Sequence, residues 1–395
     1  MLVTDEVPTQ PAHLSPLAAL YAANLLLAFH IFTAVYINSS FLASYVGEEL
    51  VGLVYIAGSL VSMLSFILIP KMLRLLGNYR LVLLCTLAEM GIFGLLSLTG
   101  SALPAILLFI GYLTVFPLLL FSLDIFLEAY TKQESETGGT RGTFLTISNT
   151  ALIIAPLVAG LLLGGGDYYK VFLLSFLFLI PFFFIILFRF RHFQDPTYKR
   201  IDILPTLACI RAEKNIAYIF AAHFLMRFFF SWMVIYMPIY LHQHVGFAWS
   251  EIGLMFTIML LPFALVELPA GKIADGILGE KELLAGGFVI MALATLAIPF
   301  VTTAHFLLFA GLLFLTRVGA SLVEIMTESY FFKQVNGDDA NTISCFRMIR
   351  PLAYIVGPLV ASMALLFIDL RFLFLLLGLI ILSGLWVSFS LKDTK

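Results

Sequence analysis

The stretch FLLSFLFLIPFFFIILF, Phe172 to Phe188, carries one serine, one proline and no charge. It does not alternate, so it lacks the period-2 pattern of a half-buried or barrel strand. As a helix it rises about 1.5 Å per residue and reaches roughly 25 Å, close to the thickness of a bilayer's hydrocarbon core. In lipid the backbone must satisfy its own hydrogen bonds, and for an unbroken apolar run that means a helix. Similar runs recur from end to end of the 395 residues, at approximately 16–43, 50–70, 80–99, 103–130, 143–164, 169–190, 215–241, 250–271, 282–301, 304–331, 342–367 and 370–391. Hydrophobic residues make up 61% and charged residues 12% of the chain, with mean hydropathy +1.04. An all-α integral membrane protein with twelve transmembrane helices is expected.

Charge sets the expected orientation. With an even number of spans both termini share one side, and that side holds sixteen Lys and Arg residues in its loops against two, Lys170 and Arg371, opposite. Basic loops stay in the cytoplasm, so both termini are expected there, in a multi-pass protein of the cytoplasmic membrane. The opening MLVTDEVPTQPAH precedes an apolar segment too long for a signal-peptide core, and it reads as an uncleaved start. A net charge of −2 gives no hint of nucleic acid, and Cys85, Cys209 and Cys345 match no metal or disulfide spacing.

The longest polar interruption, Arg191 to Asn215, divides the chain. The expected organisation is a tail at 1–15, a six-helix bundle at 16–190, a cytoplasmic linker at 191–214, a second bundle at 215–391 and a tail at 392–395. An internal repeat supports two equivalent halves. FSLDIFLEAY, Phe121–Tyr130, is answered 200 positions later by SLVEIMTESY, Ser321–Tyr330, so that Asp124 matches Glu324 and Glu128 matches Glu328. Tyr36 matches Tyr236, and APLVAG at Ala155–Gly160 matches GPLVAS at Gly357–Ser362. Two parallel six-helix repeats with a site at their interface are a recognised transporter layout.

Three motifs carry a family likeness. GKIADGILGEK, Gly271–Lys281, offers a glycine, an aspartate and following basic residues after the eighth span, and PKMLRLLGNYR, Pro70–Arg80, is a degenerate copy after the second, keeping Gly77 and Arg80. Spans five and eleven carry small residues around a proline, at Ala151/Ala155/Pro156/Ala159/Gly160 and Ala353/Gly357/Pro358/Ala361/Ser362. Over its whole length the chain resembles the major facilitator superfamily. The resemblance implies the 6+6 pseudo-symmetric fold, a cavity lined by spans one, four, seven and ten, an ionic latch at Asp275, and an antiporter-like motif in span five. Generic tight helix packing explains the same small residues.

Charges inside spans are costly and therefore functional candidates. His30, Arg227 and Arg317 lie near mid-span, and with Tyr36, Trp232 and Tyr236 they are the expected substrate contacts. Paired guanidiniums suit a carboxylate or phosphate, although Glu324, two turns from Arg317, is an alternative partner for it. His30 is also a possible relay or a packing residue. Asp124 and Glu324 are expected to couple protons; Arg74, Glu128, Arg141, Asp275, Glu328, Arg347 and Arg350 are expected to form an inner gate.

No P-loop, metal box or nucleophile elbow occurs, so neither an enzyme nor a cofactor is expected. The functional expectation is a secondary active transporter moving a small organic solute, anionic or amphipathic, by alternating access. Proton-coupled antiport and efflux are placed ahead of proton-coupled uptake of an organic anion or sugar. A membrane receptor or scaffold is the non-transport alternative. The expected partners are the solute, protons and the lipid bilayer, and a twelve-helix unit of this type can work alone.

Overall fold

In the computed structural model, residues 15–130, 134–198, 213–266, 269–270, 273–274, 278–334 and 340–392 are described. Every regular element among them is helical. The chain runs α1 (Pro16–Val35), α2 (Asn38–Val46), α3 (Glu48–Leu76), α4 (Asn78–Leu96), α5 (Ala102–Tyr130), α6 (Glu134–Leu163) and α7 (Tyr168–Arg189). After the linker come α8 (Lys214–Ile239), extended by a π-turn Tyr240–Val245, then α9 (Trp249–Leu265), α10 (Glu280–Ala297), α11 (Phe306–Gln334), α12 (Ala340–Ala364) and α13 (Leu370–Ser390).

Local chemistry punctuates the helices where the sequence supplies it. Ser15 caps α1 by accepting the Ala18 N–H at 3.1 Å, with Pro16 preset at the first helical position. Gly47 and Gly77 end α2 and α3 with φ of 78° and 75°, a conformation that costs glycine nothing. The α3–α4 corner is clasped from the linker: Asp195 accepts the Asn78 N–H at 2.7 Å and the Tyr198 hydroxyl at 2.5 Å. A side chain at Gly77 would collide with that carboxylate.

Ten helices among the described residues are long and apolar enough to cross a membrane, with α1 and α2 counted as one. Their outer faces carry exposed Leu, Phe and Trp, including Leu64, Leu103, Phe188 and Trp386, as lipid contact demands. Two of the twelve expected spans fall outside that set for physical reasons. The described part of α9 is a 17-residue apolar helix. The other, α12, carries Arg347, Arg350, two prolines and a polar first turn.

The two halves of the chain meet along α6 against α9, and along α2 and α3 against α8 and α12. In the first seam the backbones almost touch, since a Cβ added to Gly253 would lie 2.5 Å from the Pro156 carbonyl and 3.0 Å from Gly160 Cα. Thr257 also donates to the Ile153 carbonyl at 2.9 Å. In the second seam Gly52 faces the Tyr236 and Ser362 hydroxyls and the Pro358 carbonyl. The small-residue stripes of spans five and eleven thus mark lines of close helix approach. Both seams lie toward the end of the molecule that gathers Glu48, His244, Thr302, Asp369 and Arg371, called here the Gly246 end.

Candidate functional site

Between the halves, mid-helix side chains from six helices converge on a cluster rich in tyrosine and arginine. The N-terminal half contributes Tyr36 at the α1–α2 break, Tyr55 from α3 and Tyr112 from α5, all buried. The C-terminal half contributes Arg227 from α8, Arg317 and Glu324 from α11, and Arg350 and Tyr354 from α12. Tyr354 feels the charges of Arg227, Arg317 and Arg350, while Tyr36 faces the Arg317 guanidinium across the halves.

The arginines are treated differently. Arg227 Nη2 donates to Glu324 Oε1 at 2.9 Å, and its Nε donates to His223 Nε2 at 3.3 Å. Glu324 therefore answers Arg227 on the neighbouring helix; its direct hydrogen bond is not made with Arg317, two turns away on its own helix. Arg317 is buried with Nε and Nη1 lacking hydrogen-bond partners. Its guanidinium lies 5.3 Å from the Phe229 ring centre and 4.9 Å from that of Phe230, with Arg227 5.7 Å from the same Phe230. Aromatic faces soften the burial of a cation but accept no N–H in its plane. Among the described residues neither Arg317 nor Arg350 has an acidic hydrogen-bonding partner. The inner part of the cluster thus holds Arg317 and Arg227 against the one carboxylate of Glu324, with Arg350 exposed at its edge, an excess of positive charge with donors to spare.

Nearer the opposite end, Arg347 of α12 donates to Asp124 of α5 at 2.9 Å. This ion pair joins the two halves, and with side-chain exposures of 50% and 33% it is substantially solvated. Asp124 and Glu324, equivalent in the repeat, thus each hold an arginine of the C-terminal half. Among the described residues Glu128 and Arg74 are exposed and make no ion pair, whereas Glu328 does interact with other groups. Asp275 and the side chain of Arg141 lie outside the described residues.

Three expected substrate contacts sit elsewhere. His30 is wholly buried inside the N-terminal half, 3.2 Å from Glu89 of α4 and 2.8 Å from the Ser175 hydroxyl of α7. Trp232 is buried and donates Nε1–H to the Gly357 carbonyl at 2.7 Å, fixing α8 to α12 beside Pro358. Tyr236 is buried at the Gly52 seam with its hydroxyl unpartnered. His30 is expected at mid-span, but helix rotation turns its ring into the N-terminal half, while Trp232 is held at the α8–α12 contact and Tyr236 borders Tyr55 at the edge of the cluster. Conversely, Tyr55, Tyr112, Tyr354 and Glu89 were not singled out from the sequence. The tyrosines carry no signal distinguishing them from the twelve others, but Glu89, an acid in an apolar span, does.

Residues 219–395 match the sequence profile of the Major Facilitator Superfamily. No curated protein sequence matches the chain. Among solved structures, the nucleoside transporter NupG superposes with TM-score 0.75 at 12% identity, covering 95% of this chain and 99% of NupG. The POT family transporter PepTSo gives TM-score 0.74 at 13% identity, with coverage of 96% and 97%. A bacterial homologue of the iron transporter ferroportin, in its inward-facing state, gives 0.70 at 15%, with 96% and 99%. The fold is that of these membrane transporters, and the superfamily resemblance carried by the sequence motifs is met over residues 219–395.

Proposed function

We propose that this chain, with the superfamily's profile in its C-terminal half and the transporter fold throughout, is a secondary active transporter for a small organic anion. The reading takes α9 and α12 as further spans, giving twelve in two bundles of six with both termini in the cytoplasm. Substrate would bind between the halves and reach either side of the cytoplasmic membrane by alternating access.

The observation that carries the reading is Arg317, a buried guanidinium with two unpartnered N–H groups in a cluster where positive charge exceeds negative. A carboxylate or phosphate on the solute would accept from these free donors, Nε on one edge of the guanidinium and Nη1 on another. Tyr36 and Tyr354 offer hydroxyls and ring faces beside it, which suits an aromatic or amphipathic body on the same solute. The Asp124–Arg347 pair, solvated and joining the halves, acts as an inner latch that breaks and forms during the cycle. Proton-driven antiport is placed ahead of proton-driven uptake because the small-residue stripe of α6 resembles an antiporter motif.

The test is a thermal-shift screen of purified protein against organic anions, sugars and neutral amphiphiles, with Arg317→Gln alongside. Losing two charge-assisted hydrogen bonds of about 1.5 kcal/mol each predicts roughly 100-fold weaker binding of the stabilising anion. Stabilisation only by neutral or cationic compounds, undiminished in Arg317→Gln, would exclude an anionic substrate at this cluster.

A further inference from the structure

Glu89 lies midway along α4 with its carboxyl wholly buried. Oε1 is 3.2 Å from His30 Nε2, and Oε2 has no hydrogen-bond partner. The Ser175 hydroxyl, 2.7 Å from the His30 carbonyl and 2.8 Å from Nδ1, has both acceptors in reach, and the Ser175 carbonyl, 3.2 Å from Nδ1, can only accept. With the hydroxyl on the His30 carbonyl, Nδ1 carries the ring N–H, Nε2 is a bare acceptor, and a proton must lie between it and the carboxyl. With the hydroxyl on Nδ1, Nε2–H donates to Glu89, and an ionised carboxyl there would be a buried charge with no countercharge. In either arrangement the dry pair holds one further proton and is neutral overall.

The surroundings make that proton hard to lose while the site is dry. Among the described residues the other titratable groups facing Glu89 are Cys85, one turn earlier on α4, and Tyr112 from α5. Neither supplies positive charge, and α7 offers only the Ser175 hydroxyl and carbonyl. Deprotonation would strand a buried carboxylate with one oxygen unpartnered and no countercharge beside it, a state tolerable only once water arrives. Tyr112 lies within electrostatic reach of Glu89 and also of Arg350 and Tyr354 of the central cluster. Its ring meets Phe93 at 5.4 Å, and Phe93 packs on His30 at 4.5 Å.

We infer that the Glu89–His30 pair is the binding site of the coupling proton, which leaves toward the central cluster past Tyr112 when water enters there. The inference rests on the proton-coupled transport reading and gives the proton an address in the N-terminal half. Asp124 and Glu324, the acids expected from sequence to fill this role, each spend their carboxylate on an arginine. In the balanced step the O–H or N–H bond between Glu89 and His30 breaks, the proton passes to the entering water, and a carboxylate facing neutral imidazole remains, now hydrated.

The test needs no substrate. Spin labels at Leu98 and Leu366, both exposed near the Gly246 end and in opposite halves, report the separation there, with Cys85→Ala, Cys209→Ser and Cys345→Ala as background. Between about pH 5.5 and pH 8.5, the range over which a His–Glu pair can be brought to titrate, the unsubstituted pair should shift the distance populations. Glu89→Gln should abolish the shift, and His30→Gln should move its midpoint by about one pH unit or more. If Glu89→Gln does not fold, His30→Gln stands alone, and an unmoved midpoint overturns the assignment. A shift that persists unchanged in Glu89→Gln overturns the site while leaving proton coupling intact. Two populations whose ratio ignores pH in the unsubstituted pair overturn proton coupling and this site together, and leave anion transport by alternating access standing.

Discussion

Substituting Gly253 by alanine tests whether the α6–α9 seam is one of the surfaces that parts during transport. The added Cβ would sit 2.5 Å from the Pro156 carbonyl, 0.9 Å inside the 3.4 Å at which ordinary contact begins, and 3.0 Å from Gly160 Cα. The obstacles are backbone atoms of a facing helix, so no side chain can turn aside to relieve them. Either α9 retreats or the seam opens, and overpacking of this kind costs about 1–3 kcal/mol. If the cost falls on the sealed conformation alone, the equilibrium moves toward the conformation parted at the Gly246 end by roughly 5- to 150-fold, at 1.4 kcal/mol per factor of ten. Spin-label distances across the Gly246 end should lengthen accordingly. The control is Gly286→Ala in α10, where an added Cβ meets nothing within 4 Å and only helix propensity changes. There the distances should not move, and stability should rise by about 0.5–1 kcal/mol. A Gly253→Ala protein that loses thermal stability with unchanged distances would refute the reasoning, since the seam would then be static packing.

Two further outcomes follow from the ion pairs. Asp124→Arg should repel Arg347 and weaken the latch, and the double reversal Asp124→Arg with Arg347→Asp should restore the distance populations. Given the exposure of both groups the pair contributes at most about 1 kcal/mol, so a several-fold population change is expected, and an additive double variant would remove the latch. Glu324→Gln leaves Arg227 without its acid in a site only about one-fifth exposed. Breaking a fully buried pair costs about 3–5 kcal/mol, and partial solvation should reduce that to about 2 kcal/mol, read as a lower unfolding temperature with Gln and a smaller loss with Asp.

The repeat and the depth scale illustrate what can and cannot be read in one dimension. Asp124, Glu324, Arg227 and Arg317 were legible as costly intramembrane charges, because lipid penalises them wherever they point. Their partners were not. Glu324 lies on the same face as Arg317 by helical periodicity, yet Arg227 on the adjacent helix reaches it first. His30 shows the same limit in reverse: mid-span depth was correct, but its ring turns into the N-terminal half toward Glu89 and Ser175.

The sequence by itself determined the helical, membrane-spanning class, because a bilayer leaves an unbroken apolar run no other way to pair its backbone. Helix ends were less legible: the run at 16–43 is broken into Pro16–Val35 and Asn38–Val46, and that at 50–70 extends over Glu48–Leu76 to the Gly77 stop. Only the tertiary structure decided which buried charges meet. That depends on the rotation of each helix about its axis and on its neighbour's identity. Both are set by close contacts such as Gly160 against Gly253, between residues far apart along the chain.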